Sequence, residues 1–598
     1  MGGIQGLLPS SWREDRYRVL DGHSARALSL KISRRKPFLI GLAVTLFLFC
    51  LYVNSGSPVA TIDFCDHPVP RLVHDAQQAF NATLARQSNS LDEAIAEYHR
   101  RYGMPPPPYF DKWYEFATER ETVLIDEFDT IYHALLPFWG VRPDAIRSRV
   151  TEDLGFENFM MGVRVQNGTP SFLTEGQGDF QASATMEIMS MFGKWLPDMD
   201  LAFNTHDEPR VVVPHEELHR MAVKGREAQH QLQLNRKKMK NGFSNTPVNP
   251  INNLTTTRYN NIERQETWLY SRLSCPPDTP VKDLDGNAPD NSSAYAIEPL
   301  GFVYNQTAAS DMCLSPSLRH RLGVFERPNS FKLTNELAPV FSMSRPSSFQ
   351  DIVVPSPFYY KQVASYDGAL DVPWDQKIPQ VYWRGSPSGG HSRGGSWRNL
   401  QRQWIVGHLT HPENTKHVLQ ETRGSACSTS GGQGWKVREV NGTEMQQSFS
   451  LGFFRISDCD EDCLEEEEYF PIMPLEPQEE AWRHRYLLDM DGHAYSGRFY
   501  ALMRSSSLPM KVTFFREWHD NVLVPWVHYV PFNKDAYEIP ELVRFFENDP
   551  AGRDIAKSIA EEGQKWAQKV LRNQDMEVYM FRLLLEYVST NRTINSRD

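Results

Sequence analysis

One stretch near the start of the chain limits its architecture more than any other. Pro37 to Val53 reads PFLIGLAVTLFLFCLYV without a charge, directly after the basic run Lys31-Ile-Ser-Arg-Arg-Lys36. A bilayer core takes about 20 apolar helical residues, and thin early-secretory membranes take somewhat fewer. Residues 37-53 are therefore expected to form a transmembrane signal anchor. The positive-inside rule keeps residues 1-36 as a cytosolic tail and sends the rest to the lumen as a single-pass type II protein. A cleaved signal peptide, cut near Ser57-Pro-Val-Ala60, is the alternative, but the leader is long for a signal n-region.

The remaining sequence suits a luminal body. Sequons stand at Asn81, Asn167, Asn253, Asn291, Asn305, Asn441 and Asn591, all beyond the anchor. Cys65, Cys275, Cys313, Cys427, Cys459 and Cys463 also follow it, with no CxxC and no zinc-type spacing, and six cysteines allow three bridges in 15 connectivities. A net charge of -12 argues against a nucleic-acid partner, because phosphate binding needs a basic footprint. Hydrophobic residues at 40% and aromatics at 12% are enough for a folded, enzyme-sized core.

Residues 54-108 read as a stem ending in Pro105-Pro-Pro-Pro108, a semi-rigid spacer. A first lobe is expected over 109-345, with a helix at 182-196, a short buried strand at Leu201-Ala-Phe-Asn204, and a polar surface loop over 225-260. The second lobe, 346-598, alternates strand, loop and helix. Val381-Tyr-Trp-Arg384 leads into the loop Gly385 to Gly395 and a helix from Trp397. Tyr486-Leu-Leu488 leads into Asp489 to Gly492 and a helix from about Gly497, and Lys511 to Phe515 is a third strand. This alternation predicts an α/β fold with a mostly parallel sheet, and two amphipathic helices close the chain.

Loops rich in Gly, Ser and Arg after strand ends are where α/β proteins hold phosphates. Small residues let backbone N–H groups approach, and arginine forks match phosphate oxygens. Two such loops stand here: Arg384, Gly385, Ser386 and Arg393 in the first, Gly492, Ser496 and Arg498 in the second. Together they point to a nucleotide diphosphate. In the first lobe, Asp207 follows a strand and can accept a proton from a hydroxyl nucleophile, with a helix cap or surface acid as the bland alternative.

Other motifs compete. His215-Glu-Glu-Leu-His219 fits the two-histidine zinc helix but lacks a third ligand downstream. Asp198-Met-Asp200 and Asp489-Met-Asp491 both fit D-x-D, a metal–diphosphate motif that arises easily in an acidic chain. The run Asp458 to Glu468 reads as a solvated acidic loop tied by Cys459 and Cys463, with calcium binding a minor alternative.

Tyr486 to Tyr500 (YLLDMDGHAYSGRFY) resembles the donor-site signature of the capsule-associated glycosyltransferases, the family of Rumi-type protein O-glucosyltransferases and fungal capsule xylosyltransferases. Val381-Tyr-Trp-Arg-Gly-Ser386, Pro525-Trp-Val-His-Tyr-Val-Pro531, Tyr579 to Tyr587 and Leu196 through Pro209 resemble its other motifs, so the likeness covers roughly residues 180-590. It implies a two-lobed GT-B fold with Rossmann-like lobes, a UDP-sugar donor and inversion at the anomeric carbon. It assigns Asp207 as base and Ser386, Arg393, Ser496 and Arg498 to the donor. The first loop is longer and richer in glycine than the family pattern, and Gly497 replaces a bulkier residue. Related glucosyltransferases work without a bound metal, so no cofactor is expected. The acceptor would be a glycan or glycoprotein. The absence of an endoplasmic-reticulum retention signal at Asn595-Ser-Arg-Asp598, with the anchor, suggests the Golgi membrane, with the endoplasmic reticulum as the alternative. A catalytically silent glycan-binding protein on the same fold is the main rival, and a zinc hydrolase using His215 and His219 the remote one.

Overall fold

The computed structural model describes residues 66–173, 180–235, 254–283, 286–422 and 434–591. The apolar span 37-53 lies outside them, as do Cys65, Cys427 and Asn253. Among the described residues no helix is long and apolar enough to cross a membrane.

Two helices, α1 (Pro68–Ala85) and α2 (Leu91–Tyr102), occupy most of the segment expected to be a stem. They are part of the folded body. Phe80 packs edge-on against Trp566 at 4.9 Å, and the Tyr98 hydroxyl donates to Glu586 at 2.9 Å. Their apolar faces carry no run long enough to stand out beside the polyproline that follows.

Helices α3 (Phe110–Glu119), α4 (Asp129–Trp139) and α5 (Pro143–Leu154) come next. The first sheet contains β1 (Met160–Gln166), β2 (Thr169–Phe172) and, after α6 (Phe180–Ser190), β3 (Met199–Asn204). Helix α7 (His215–Asn235) then extends into the segment expected to be loop from 225, because its long side chains are good helix formers despite their polarity. Strands β4 (Val340–Ser342) and β5 (Ile352–Val353) complete the order β2-β1-β3-β4-β5. This sheet is mixed: β1 is antiparallel to both β2 and β3, whereas β3, β4 and β5 are parallel. Since β5 lies past residue 345, the first lobe extends beyond its expected boundary.

The second sheet is parallel throughout. It is built from β6 (Ile378–Gly385), then, beyond α8 (Gln401–Thr410), β7 (Phe449–Phe453). After α9 (Asp462–Tyr469) follow β8 (His484–Met490), α10 (Phe499–Arg504), β9 (Leu508–Val512) and β10 (Val530–Pro531), in the order β7-β6-β8-β9-β10. All five residues of β9 are buried, as expected of a strand covered on both faces.

Helices α11 (Ile539–Asn548), α12 (Pro550–Val570) and α13 (Asn573–Thr590) close the chain. A Cβ on Gly563 of α12 would meet the His528 carbonyl oxygen at 2.2 Å, so only glycine lets that helix lie against the Pro525–Pro531 segment. Helix α13 is buried from Asp575 onward and does not stay with the second lobe. Phe581 stacks on Phe192 at 4.8 Å and meets Phe116 at 5.4 Å. Arg582, paired with Glu586 at 2.8 Å, lies over the rings of Trp113 and Phe110. The expected donor lobe 346-598 is thus corrected at both ends: it begins after β5, and its last helix packs on the first lobe.

Candidate active site

The carboxyl ends of the parallel neighbours β6 and β8 carry the two Gly/Ser loops, and these touch each other. A Cβ on Gly389, where φ is +122°, would lie 3.0 Å from the Gly492 carbonyl oxygen. On its other side, a Cβ on Gly323 of the first lobe would overlap the Gly389 carbonyl. Three backbones meet without side chains between them, which accounts for Gly389 and Gly390 in the first loop.

Arg402 on α8 binds both loops. It donates from Nη1 to the Ser386 carbonyl at 3.0 Å and to Ser388 Oγ at 2.6 Å, from Nε to the Asp491 carbonyl at 2.8 Å, and from Nη2 to the Met490 carbonyl at 3.1 Å. Arg498, at the start of α10, donates from Nη1 to the Arg384 carbonyl at 2.6 Å, and burial pushes its pKa down. Both guanidiniums lie over the Trp383 ring, at 5.4 and 5.6 Å. Ser496 is buried, and its carbonyl accepts from the Tyr359 hydroxyl at 2.8 Å. A Cβ on Gly385 would strike the Trp383 ring at 2.4 Å. Ser386, Gly385, Gly492, Ser496 and Arg498 are thus brought together.

Two expected donor residues are not. The Arg384 guanidinium turns to the Ser450 carbonyl at 2.7 Å and Glu476 at 3.1 Å, so only its main chain joins the site. Arg393 is 62% exposed and pairs with Glu461. The acidic segment, expected to be a solvated loop, is what draws the first loop outward past Gly390. Asp462 accepts from the Gly395 N–H at 2.9 Å, Glu466 from Ser392 Oγ at 2.9 Å, and Asp460 pairs with His391 at 2.7 Å. Cys459–Cys463 bridges the start of α9, and Cys275–Cys313 is the other disulfide among the described residues.

Asp207 follows β3, as the sequence predicted. Asn204, the last strand residue, holds the turn: its amide donates to the Glu208 carbonyl at 2.8 Å, and its Oδ1 accepts from Arg210 Nε at 2.6 Å. Burial raises the Asp207 pKa above the ordinary carboxylate value, opposed by the His493 imidazole of the loop after β8. His493 is held in turn: its Nε2 lies 3.5 Å from the Asn329 amide of the first lobe and 3.8 Å from Asp458. Burial pushes its pKa down, against the pull of Asp458 and Asp207. Next to Asp207, buried Glu208 has its pKa raised to about 7, and His206 is lowered to about 4, in both cases chiefly by burial.

The competing motifs are engaged elsewhere. His215 Nδ1 faces the Ser274 carbonyl at 3.3 Å, and among the described residues no three potential ligands cluster around a point. Asp200 pairs with Arg164 at 2.8 Å, and Asp198 accepts from the Asn167 N–H. Asp489 accepts from buried Lys511 at 2.7 Å, and Asp491 from the Phe514 N–H at 2.7 Å. Asp489 and Asp491 are buried, whereas Asp198 and Asp200 are partly exposed. Of the sequons, Asn81, Asn167, Asn291, Asn305 and Asn441 are exposed, but Asn591 is fully buried and its amide is bound to Tyr587. Its place at the end of a buried helix rules it out as a glycan acceptor in the folded chain.

Sequence reasoning missed Arg402 and His493. Arg402 sits within α8 with no local pattern around it, and His493 acquires its meaning only when the first lobe supplies Asp207 and Asn329.

Residues 427–595 match the family model described as glycosyl transferase family 90. The chain is 25% identical to human protein O-glucosyltransferase 1 over 295 residues, which are 46% of this chain and 62% of that one. It is 26% identical to the Drosophila melanogaster O-glucosyltransferase rumi over 259 residues, 42% of this chain and 54% of that one. An uncharacterized protein, 179R, of Invertebrate iridescent virus 6 is 21% identical over 300 residues, 43% of this chain and 23% of its own. The chain therefore spans less than two thirds of each of these relatives.

Proposed function

The chain belongs to the capsule-associated, Rumi-type glycosyltransferase family, and on that premise we propose that it moves a sugar from a UDP-sugar to a hydroxyl of a glycan or glycoprotein. In this reading the two sheets are the lobes of a GT-B enzyme, anchored through residues 37-53 in the Golgi membrane with its body luminal. Xylose and glucose are the candidate sugars.

One observation carries the reading. The turn that carries Asp207, just past β3, meets residues 329–330 through Glu208, which accepts from the Ser330 N–H at 3.4 Å, and the Asn329 amide lies 3.5 Å from His493, in the loop that also carries Ser496 and Arg498. In this reading the acid and the phosphate-type loop face one cleft. Asp207 takes the proton of the acceptor hydroxyl as its oxygen bonds to the anomeric carbon. The bond to the UDP oxygen breaks on the opposite side, inverting the centre. Arg498 and the backbone N–H groups of the loops take up charge on the departing diphosphate. Among the described residues no three potential ligands cluster, and this chemistry is proposed to run without a bound metal.

The test is a panel of UDP-sugars with the purified protein, read as binding and as slow hydrolysis to UDP and free sugar. One donor should bind and turn over. A panel in which neither UDP nor any UDP-sugar binds contradicts the proposal.

A further inference from the structure

A groove of about 300 Å³ lies where α8 meets the end of α9. Trp397, Trp404 and Tyr469 line it together with Arg398, Gln403 and His408. The rings are fixed in place. Tyr469 stacks on His411 at 4.3 Å, and Trp404 is covered by Arg321 at 4.2 Å while its N–H donates to the Asp535 carbonyl at 3.2 Å.

Two features mark the groove as built rather than incidental. Gly407 lies inside α8, where glycine costs about 1 kcal/mol relative to alanine. A Cβ there would be tolerated, 3.4 Å from the Tyr469 ring, so the backbone does not demand glycine. What glycine leaves is room between Trp404 and Tyr469. Secondly, Gln403 is 3% exposed, and its Oε1 has no protein partner, while its amide reaches the Pro387 carbonyl and Glu466 at 3.4 Å. The side chain behind the groove wall is thus held by the first loop and α9, with one acceptor that the fold leaves unpaired.

We infer that this groove binds a neutral pyranose unit of a glycan, as a second carbohydrate site distinct from the cleft. A pyranose has an apolar C–H face and a rim of hydroxyls, which rigid rings beside an amide and a guanidinium complement. The volume is at the lower end of the about 300–1,000 Å³ typical of small-molecule sites, so one or two rings fit rather than a long chain. Arg398 is neutralised by Glu465, so the site carries no net call for an anion. The assignment to glycan rests on the glycosyltransferase reading, in which the site would hold a distal part of the acceptor. Because Gln403 also touches Pro387, an occupied groove adjoins the first donor loop.

Methyl β-glucoside, methyl β-xyloside and methyl α-mannoside can be tested against the full chain by saturation-transfer NMR, with UDP affinity measured in parallel. At least one glycoside should bind, and Gly407→Leu, which fills the groove, and Trp404→Ala should each weaken it about tenfold or more. UDP affinity should stay within about twofold in both, which also certifies their fold. No glycoside binding to the wild type overturns the inference, as does binding that survives in both variants and so belongs to the cleft. Loss of sugar and UDP binding together in both variants overturns it too. Failure of UDP to bind the wild type, by contrast, would strike the proposed function and leave the groove to be judged by the glycosides alone.

Discussion

The Arg498 guanidinium donates to the main-chain carbonyl of Arg384 at 2.6 Å, so the arginine that opens α10 is held by the strand end that opens the first loop. This bond fixes the position of the guanidinium before any ligand arrives. Such pre-organisation lowers the entropy lost on binding a diphosphate.

Arg498→Ala is expected to weaken UDP binding by about 10–100-fold, the loss of a charged hydrogen bond of about 1.5–3 kcal/mol. Arg498→Lys should not restore it, because an ammonium cannot keep the Arg384 carbonyl and reach two phosphate oxygens at once. Isothermal calorimetry with UDP measures both. An unchanged affinity in Arg498→Ala would show that the donor loop is misassigned.

Arg402 should matter for a different reason. Its four bonds join Ser386, Ser388, Met490 and Asp491, so Arg402→Met leaves several buried acceptors unpaired. We expect a loss of about 3–5 kcal/mol in stability together with weaker UDP binding. Denaturant unfolding and UDP titration on the same preparation check this. Full stability with only UDP affinity lost would make Arg402 a direct ligand instead of a brace.

How much of this was readable in the sequence follows from how local each signal is. The two Gly/Ser loops, the strand before Asp207 and the strands β6 and β8 were visible because small residues and apolar runs act over a few positions. The lobe boundary was not, since β5 is two residues long and pairs only through tertiary contact with β4. Arg384 and Arg393 looked equivalent to Arg498 by composition. Their separation depends on Ser450, Glu476 and Glu461, which come from distant parts of the chain. The acidic run looked solvated because its charges are dense, yet Asp462 and Glu466 are buried against the N–H of Gly395 and the hydroxyl of Ser392.

The pH dependence of transfer should report Asp207. Its pKa is raised by burial, so kcat/KM should fall on the acid side at a pH above that of an ordinary carboxylate. When His493 is protonated its charge favours the ionised carboxyl and so opposes the effect of burial. His493→Gln removes this help and should move the acid limb to higher pH. A pH–rate profile of the variant with an unmoved acid limb would disconnect the two residues.

Glu208 gives a stability test that needs no substrate. Its pKa is raised to about 7 from an unfolded value of 4.5, so the folded chain holds the proton more tightly. Its contribution is fully present below pH 4.5 and is lost as pH rises through 7. Glu208→Gln, which keeps an acceptor for the Ser330 N–H, should therefore gain on the wild type between those values, by about 1–3 kcal/mol at pH 8. Thermal unfolding of both proteins at pH 5 and pH 8 decides it, and equal differences at the two pH values would contradict a buried neutral Glu208.

The central claim is that Asp207 is the base of a transfer reaction whose donor is held by the other lobe. Asp207→Asn preserves shape and polarity but cannot take the proton, so the measurement is transfer rate and UDP-sugar affinity in wild type and Asp207→Asn, each with and without chelator. The account predicts a rate lower by about 10²–10⁴-fold, donor affinity within about twofold, and no effect of chelator on either. Transfer by Asp207→Asn at the wild-type rate would contradict it.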